Sequence, residues 1–190
     1  MNKDWKIIVV GSLLCVCGSG PFYVMPAYFE SAARDFGLSA GQIGLLSGAE
    51  GSGIALACVL TGLFARRLNW KIVVAGGLVC AVGNSLAGAA HGFGALLALR
   101  AFTGLAGEGP LYAMSYILLG KANNPDRAFG AALTALAVFS AVALDFERAL
   151  YRGFGAGGIL VPFAGLALVA MVAATLSRDM DIAPPAPKPR

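Results

Sequence analysis

The chain has 190 residues, 58% of them hydrophobic and only 13% charged, with a mean hydropathy of +0.76. Soluble domains use about 45 to 50% apolar residues, so the composition excludes a water-soluble enzyme or binding domain and points to a membrane protein. The net charge of +4 sits mostly between apolar runs and not in a basic patch, so no nucleic-acid partner is expected.

Six apolar runs follow in chain order, at 5–29, 40–65, 70–90, 92–120, 128–144 and 153–176. Each is near or above the roughly 17 to 25 residues that a membrane-crossing helix needs, the fifth being the shortest. The expected fold is all-α, an integral membrane bundle of six transmembrane helices forming one domain over 1–177. In the first run Lys3 and Lys6 precede the apolar stretch, as in a cleaved signal peptide, but the run is too long and lacks a small-residue cleavage site. It carries CGSGPFYVM at 17–25, with two glycines and a proline where a helix tolerates them least. Next, SAARDFGLSAGQIG reads as an external loop and a helix start, with Ser39 and Gln42 at capping-box spacing. Within the second run, Gly44 and Gly48 have the G-x-x-x-G spacing of close helix packing.

The fourth run carries AGEGPLYAM at 106–114, which repeats the pattern G-x-G-P-x-Y-x-M with five matching positions. The two copies lie on spans of opposite direction, as an inverted pair of three-helix repeats requires. Gly18, Gly20 and Pro21, and Gly107, Gly109 and Pro110, all fall near mid-membrane. A freed carbonyl at that depth must be buried in protein or line a watery cavity. Two helix breaks facing a substrate cavity are therefore expected, with Tyr23 and Tyr112 offering hydroxyls or simply packing. After the fourth run, KANNPDR at 121–127 is a turn. The end, 178–190, closing on DIAPPAPKPR, is a proline-rich tail. Short connections predict that consecutive helices are antiparallel neighbours.

Three ionisable residues lie well inside spans: Glu50, Arg100 and Glu108. Each costs about 2.5 to 3.5 kcal/mol at a helix centre, so each needs a partner or a task. Glu50 and Arg100 match in depth, which predicts an ion pair between the second and fourth helices. Glu108 has no obvious cation of its own, and desolvation favours its neutral form. It is a candidate proton carrier, a ligand for a cationic substrate, or a second partner for Arg100.

With the N-terminus placed in the cytoplasm, the inside segments hold Lys3, Lys6, Arg66, Arg67, Lys71, Lys121, Arg127, Arg178, Lys188 and Arg190. The outside segments hold Arg34, Arg148 and Arg152. This positive-inside bias predicts an inner, or cell, membrane protein with both termini cytoplasmic. Cys15, Cys17, Cys58 and Cys80 fall within spans and read as small apolar thiols, so neither a disulfide framework nor a metal site is expected. The one histidine, His91, lies at an external turn, which removes an intramembrane serine protease. No phosphate-binding Gly-rich loop is present to drive transport with ATP.

The chain resembles the amino-terminal six-helix half of a major facilitator superfamily transporter. FGLSAGQIG resembles the lead into that family's second helix, and LALRAFTGLAGEG matches its Arg and Gly four residues apart at Arg100 and Gly104. GLFARRLNWK resembles the family's cytoplasmic loop G-x-L-A-D-R-x-G-R-K and keeps Gly62, Ala65, Arg67 and Lys71. It departs at Arg66, where the family has Asp, and at Asn69, where it has Gly, which implies a weaker cytoplasmic latch. The resemblance implies a secondary transporter, or half of one, without a cofactor. It would move a small solute with protons through a cavity between the first and fourth helices. Family members have twelve helices, so a homodimer or a second six-helix chain would supply the other half. The alternative is a truncated half or a non-transporting subunit that binds another membrane protein.

Overall fold

The computed structural model describes residues 3–64, 68–90 and 92–176. Every regular element among them is helical: α1 (Lys3–Phe36), α2 (Ala40–Leu63), α3 (Trp70–Ala87), α4 (Phe93–Thr103), a π-helical turn (Gly104–Glu108), α5 (Gly109–Leu119), α6 (Pro125–Gly158) and α7 (Val161–Leu176). Because α4, the π turn and α5 run on without interruption, the seven helices make six columns. Four helices, α1, α2, α3 and α6, are individually long and apolar enough to cross a membrane. The expected tail and the basic residues Arg178, Lys188 and Arg190 lie outside the described residues.

Local chemistry sets the helix starts. The Ser39 hydroxyl accepts from Gln42 N–H at 3.3 Å while the Gln42 side chain accepts from Ser39 N–H at 2.9 Å, so the capping box at α2 is complete. Asn69, the departure from the family loop, caps α3 by accepting from Lys71 N–H at 2.9 Å. Asn124 caps α6 by accepting from Arg127 N–H, and Pro125 occupies the first turn, where its missing N–H costs nothing. Asp4 accepts from Asn123 N–H at 2.7 Å, tying the start of α1 to that same turn. At the other end of α1, Gly37 takes a left-handed conformation, φ 64°. Leu38 N–H then bonds back to the Ala33 carbonyl, closing the helix.

The two longest helices exceed their expected spans. α1 continues past 29 to Phe36, and α6 past 144 to Gly158, so the last helix begins at Val161 and not at 153. The stretch DFERALYR after Leu144 is too polar for lipid but consists largely of good helix formers. It therefore carries α6 beyond the apolar layer. There α1 and α6 are fastened together: Asp35 accepts from the Tyr151 hydroxyl and from Ala156 N–H, each at 2.8 Å. The second bond serves the backbone just after Gly155, whose φ of 66° marks a kink within α6.

Lateral neighbours differ from the expected order. α1 packs mainly on α6 and α5, α2 on α4, the π turn and α5, and α3 on α7, whereas α1 barely touches α2 and α6 barely touches α7. Short connectors fix direction but leave the choice of neighbour to the faces that can approach closely. Exchanging the first three columns with the last three maps the first-on-fifth contact onto fourth-on-second, and leaves third-on-sixth and first-on-fourth unchanged. This is the pairing that two inverted repeats produce. One apolar cluster, including Leu14, Trp70, Leu118 and Ala174, fills the end near the start of α1. A second, including Met25, Tyr28, Leu96 and Phe163, fills the other.

Candidate functional site

The site grows from the fourth column. Pro110 has no N–H and its ring crowds the carbonyl four residues back, so the preceding turn widens. Gly109 N–H bonds to the Gly104 carbonyl, five residues earlier, as in a π turn. In an ordinary helix, residues eight apart differ by about 80° in direction; the extra residue of a π turn brings them within about 20°. Glu108 thereby comes to the face of Arg100.

Arg100 is the centre of a buried ionic cluster. Its Nε donates to Glu50 Oε2 at 2.7 Å, and its Nη2 donates to Glu50 Oε1. The same Nη2 reaches Glu108 Oε1 at 3.3 Å, while Nη1 donates to Asn84 Oδ1 at 2.7 Å. The Tyr28 ring lies 5.8 Å from the guanidinium carbon, within cation–π range. Arg100 and Asn84 are 1% exposed, and Glu50 and Glu108 are 0%. Two carboxyl groups thus share one guanidinium. Glu108 Oε2, Asn84 Nδ2 and the Tyr28 hydroxyl have no hydrogen-bond partner among the described residues.

Glycines let the backbones come close enough to form this cluster. A Cβ on Gly104 would run into the Glu50 backbone, and one on Gly53 would stand 2.8 Å from the Ala101 carbonyl. The ion pair expected between Glu50 and Arg100 is present. Glu108 is not left without a cation, because the π turn changes its direction. Asn84 and Tyr28 were not singled out in the sequence, although Asn84 is the only asparagine within an apolar run. That was the available signal.

The two expected breaks have different outcomes. Around Gly107, Gly109 and Pro110 the helix is distorted but not unwound. Around Gly18, Gly20 and Pro21 no break exists: α1 is helical throughout, with Pro21 and Pro26 inside it. Gly18 serves close packing instead, since a Cβ there would stand 2.7 Å from the Glu108 carbonyl. Gly20 faces Phe163, and Gly107 faces Cys80. Conversely, Gly44 and Gly48 are not a packed seam. A Cβ at either would meet nothing within 4 Å, and both border an open groove between α2 and α4.

Tyr23 and Tyr112 do line one cleft of about 330 Å³, between α1, α2 and α5. The Tyr112 hydroxyl donates to that of Tyr116 at 2.8 Å. Cys15, Cys17 and Cys80 are buried free thiols, and the free thiol of Cys58 is partly exposed in the cleft. Of the cytoplasmic-loop motif, Gly62 meets nothing among the described residues within 4 Å of a built Cβ and Lys71 is exposed in the first turn of α3. Ala65, Arg66 and Arg67 lie outside the described residues, as does His91.

A profile of the Major Facilitator Superfamily matches residues 8–190. The chain belongs to the Major Facilitator Superfamily. Family membership makes this six-helix bundle a multi-pass membrane protein of a transporter family, in keeping with its apolar helices. No curated protein matches the chain.

Proposed function

We propose that this superfamily member is a proton-coupled secondary transporter, or half of one, whose coupling group is the Arg100, Glu50 and Glu108 cluster. The observation that carries the reading is charge imbalance in a sealed site. With both carboxyls ionised the cluster holds one uncompensated negative charge at full burial, which is costly. A single proton restores neutrality. Glu50 makes two bonds to Arg100 and Glu108 one longer bond, so Glu108 is the group that takes and gives the proton. When Glu108 is neutral, Glu50 is the one ionised partner of Arg100 among the described residues. Release of the proton draws the guanidinium toward the fourth helix. Through Gly104 and Gly53 such a shift is passed directly to the contact between α2 and the fourth column.

The solute passes through the cleft beside Tyr23 and Tyr112, the protein lies in the cell membrane with both termini cytoplasmic, and a second six-helix unit completes the path. The test is proton uptake into proteoliposomes during solute screening, with wild type beside Glu108→Gln. Loss of uptake in a variant that stays folded and correctly assembled supports transport. Loss of assembly alone favours the alternative role, a non-transporting subunit that binds another membrane protein.

A further inference from the structure

The ionic cluster and the cleft are two separate polar features of the helix bundle. Among the described residues every hydrogen-bonding contact of the Arg100 guanidinium goes to Glu50, Glu108 or Asn84, and all four side chains are at most 1% exposed. None of them lines the cleft. The cleft wall is built from Ser19, Phe22 and Tyr23 of α1, Ile54 and Cys58 of α2, and Tyr112 of α5, and among the described residues no charged side chain lines it. Phe22 and Tyr23 are 44% and 56% exposed. Among the described residues the Tyr23 hydroxyl makes no hydrogen bond.

Tyr23 lies in the apolar run of α1, where an unpaired polar group facing lipid is disfavoured, so its hydroxyl is suited to meet solute or water. A wall of aromatic rings with a few hydroxyls and no ion suits a ligand that stacks and makes one or two neutral hydrogen bonds. A charged group placed against this wall would exchange water for aromatic rings and find no counter-ion among its lining residues. We infer that the part of the solute that docks on this wall is uncharged and presents a flat aromatic or similarly apolar face with a hydrogen-bonding group. The inference rests on the transport reading only in taking the cleft as the solute's path, and assigns Arg100 and Glu108 no part in substrate recognition.

Three probes share one ring and differ in charge: nicotinamide is neutral, nicotinate an anion and 1-methylnicotinamide a cation. Their binding to the purified full chain in nanodiscs is measured by saturation-transfer NMR titration, with empty nanodiscs as the blank. Nicotinamide is expected to bind at least about tenfold more tightly than either charged probe, a difference of about 1.4 kcal/mol. Cys58→Trp, which fills the cleft, should abolish that binding. Tyr23→Ala, at an exposed position, should weaken it several-fold even if Cys58→Trp fails to fold. Equal or tighter binding of a charged probe overturns the inference, as does nicotinamide binding that neither variant changes or that empty nanodiscs reproduce. Absence of binding by all three probes overturns it too. If nicotinamide binds in a Cys58-dependent way but wild-type proteoliposomes take up no protons with any solute, the transport reading fails and this inference stands.

Discussion

At the scale of single residues, the two glutamates around Arg100 are not equivalent, and the difference can be measured. Glu50 holds Arg100 through two bonds, and neutralising it leaves a buried guanidinium facing one weakly placed carboxyl. Removing one partner of a buried pair costs about 3 to 5 kcal/mol, so Glu50→Gln should lower the thermal unfolding midpoint sharply. Glu108→Gln leaves the cluster electrically balanced and should change stability by less than about 1 kcal/mol while abolishing proton uptake. Fluorescence-detected size exclusion after heating measures the first quantity and a liposome-trapped pH dye the second; equal destabilisation by the two variants would refute the asymmetry. Asn84→Leu removes the acceptor for Arg100 Nη1 and should cost about 1.5 to 3 kcal/mol, the range for hydrogen bonds to charged groups. Of this cluster, the Glu50–Arg100 pair was legible because a charge in an apolar run announces its own cost and depth limits its partners. Asn84 was harder to see, since an amide carries a smaller penalty and sequence depth does not say which way it points.

Among the helices, the repeated G-x-G-P pattern has two different results, which shows that composition alone does not decide whether a helix yields. α1 absorbs Pro21 without leaving helical geometry, whereas Pro110 follows a π turn. Glycines near each proline then act by what they touch. Gly104→Ala or Gly53→Ala should cost about 1 to 3 kcal/mol, the range for overpacking, because the neighbouring backbone has no room to withdraw. Gly44→Ala and Gly48→Ala, with nothing within 4 Å, should cause no loss, although their G-x-x-x-G spacing looks equally committed to packing. Midpoints from the same heating assay decide this, and a loss at 44 or 48 as large as at 104 would overturn it. Spacing identified the small-residue faces but not which of them meets another helix, because that depends on lateral neighbours that short connectors leave open.

Across the whole molecule, the inverted repeat was legible from five matching positions, and the exchange symmetry of the helix contacts agrees with it. The lateral order was not, since hydropathy reports depth in the membrane and says little about azimuth. Azimuth now separates the helices into two kinds. The apolar windows of α1 and α3 are 67% and 50% buried, those of α2 and α6 only 17% and 22%. Lipid can cover the apolar side chains that α2 and α6 leave open. It is a poor cover for the cleft between α1, α2 and α5, where the unpaired Tyr23 hydroxyl sits at membrane depth beside Tyr112. A second six-helix unit across that face would enclose the cleft as an aqueous chamber, and a twofold arrangement of two copies would do so with the same surface on each. The expected outcome of native mass spectrometry in lipid nanodiscs is therefore a particle of two six-helix units, either two copies or this chain with a second protein. Tyr23→Phe, which removes the hydroxyl but keeps the apolar ring, should leave that mass unchanged. A lone monomer would mean that the cleft opens to lipid, and the case for an enclosed solute path on this face would fall with it.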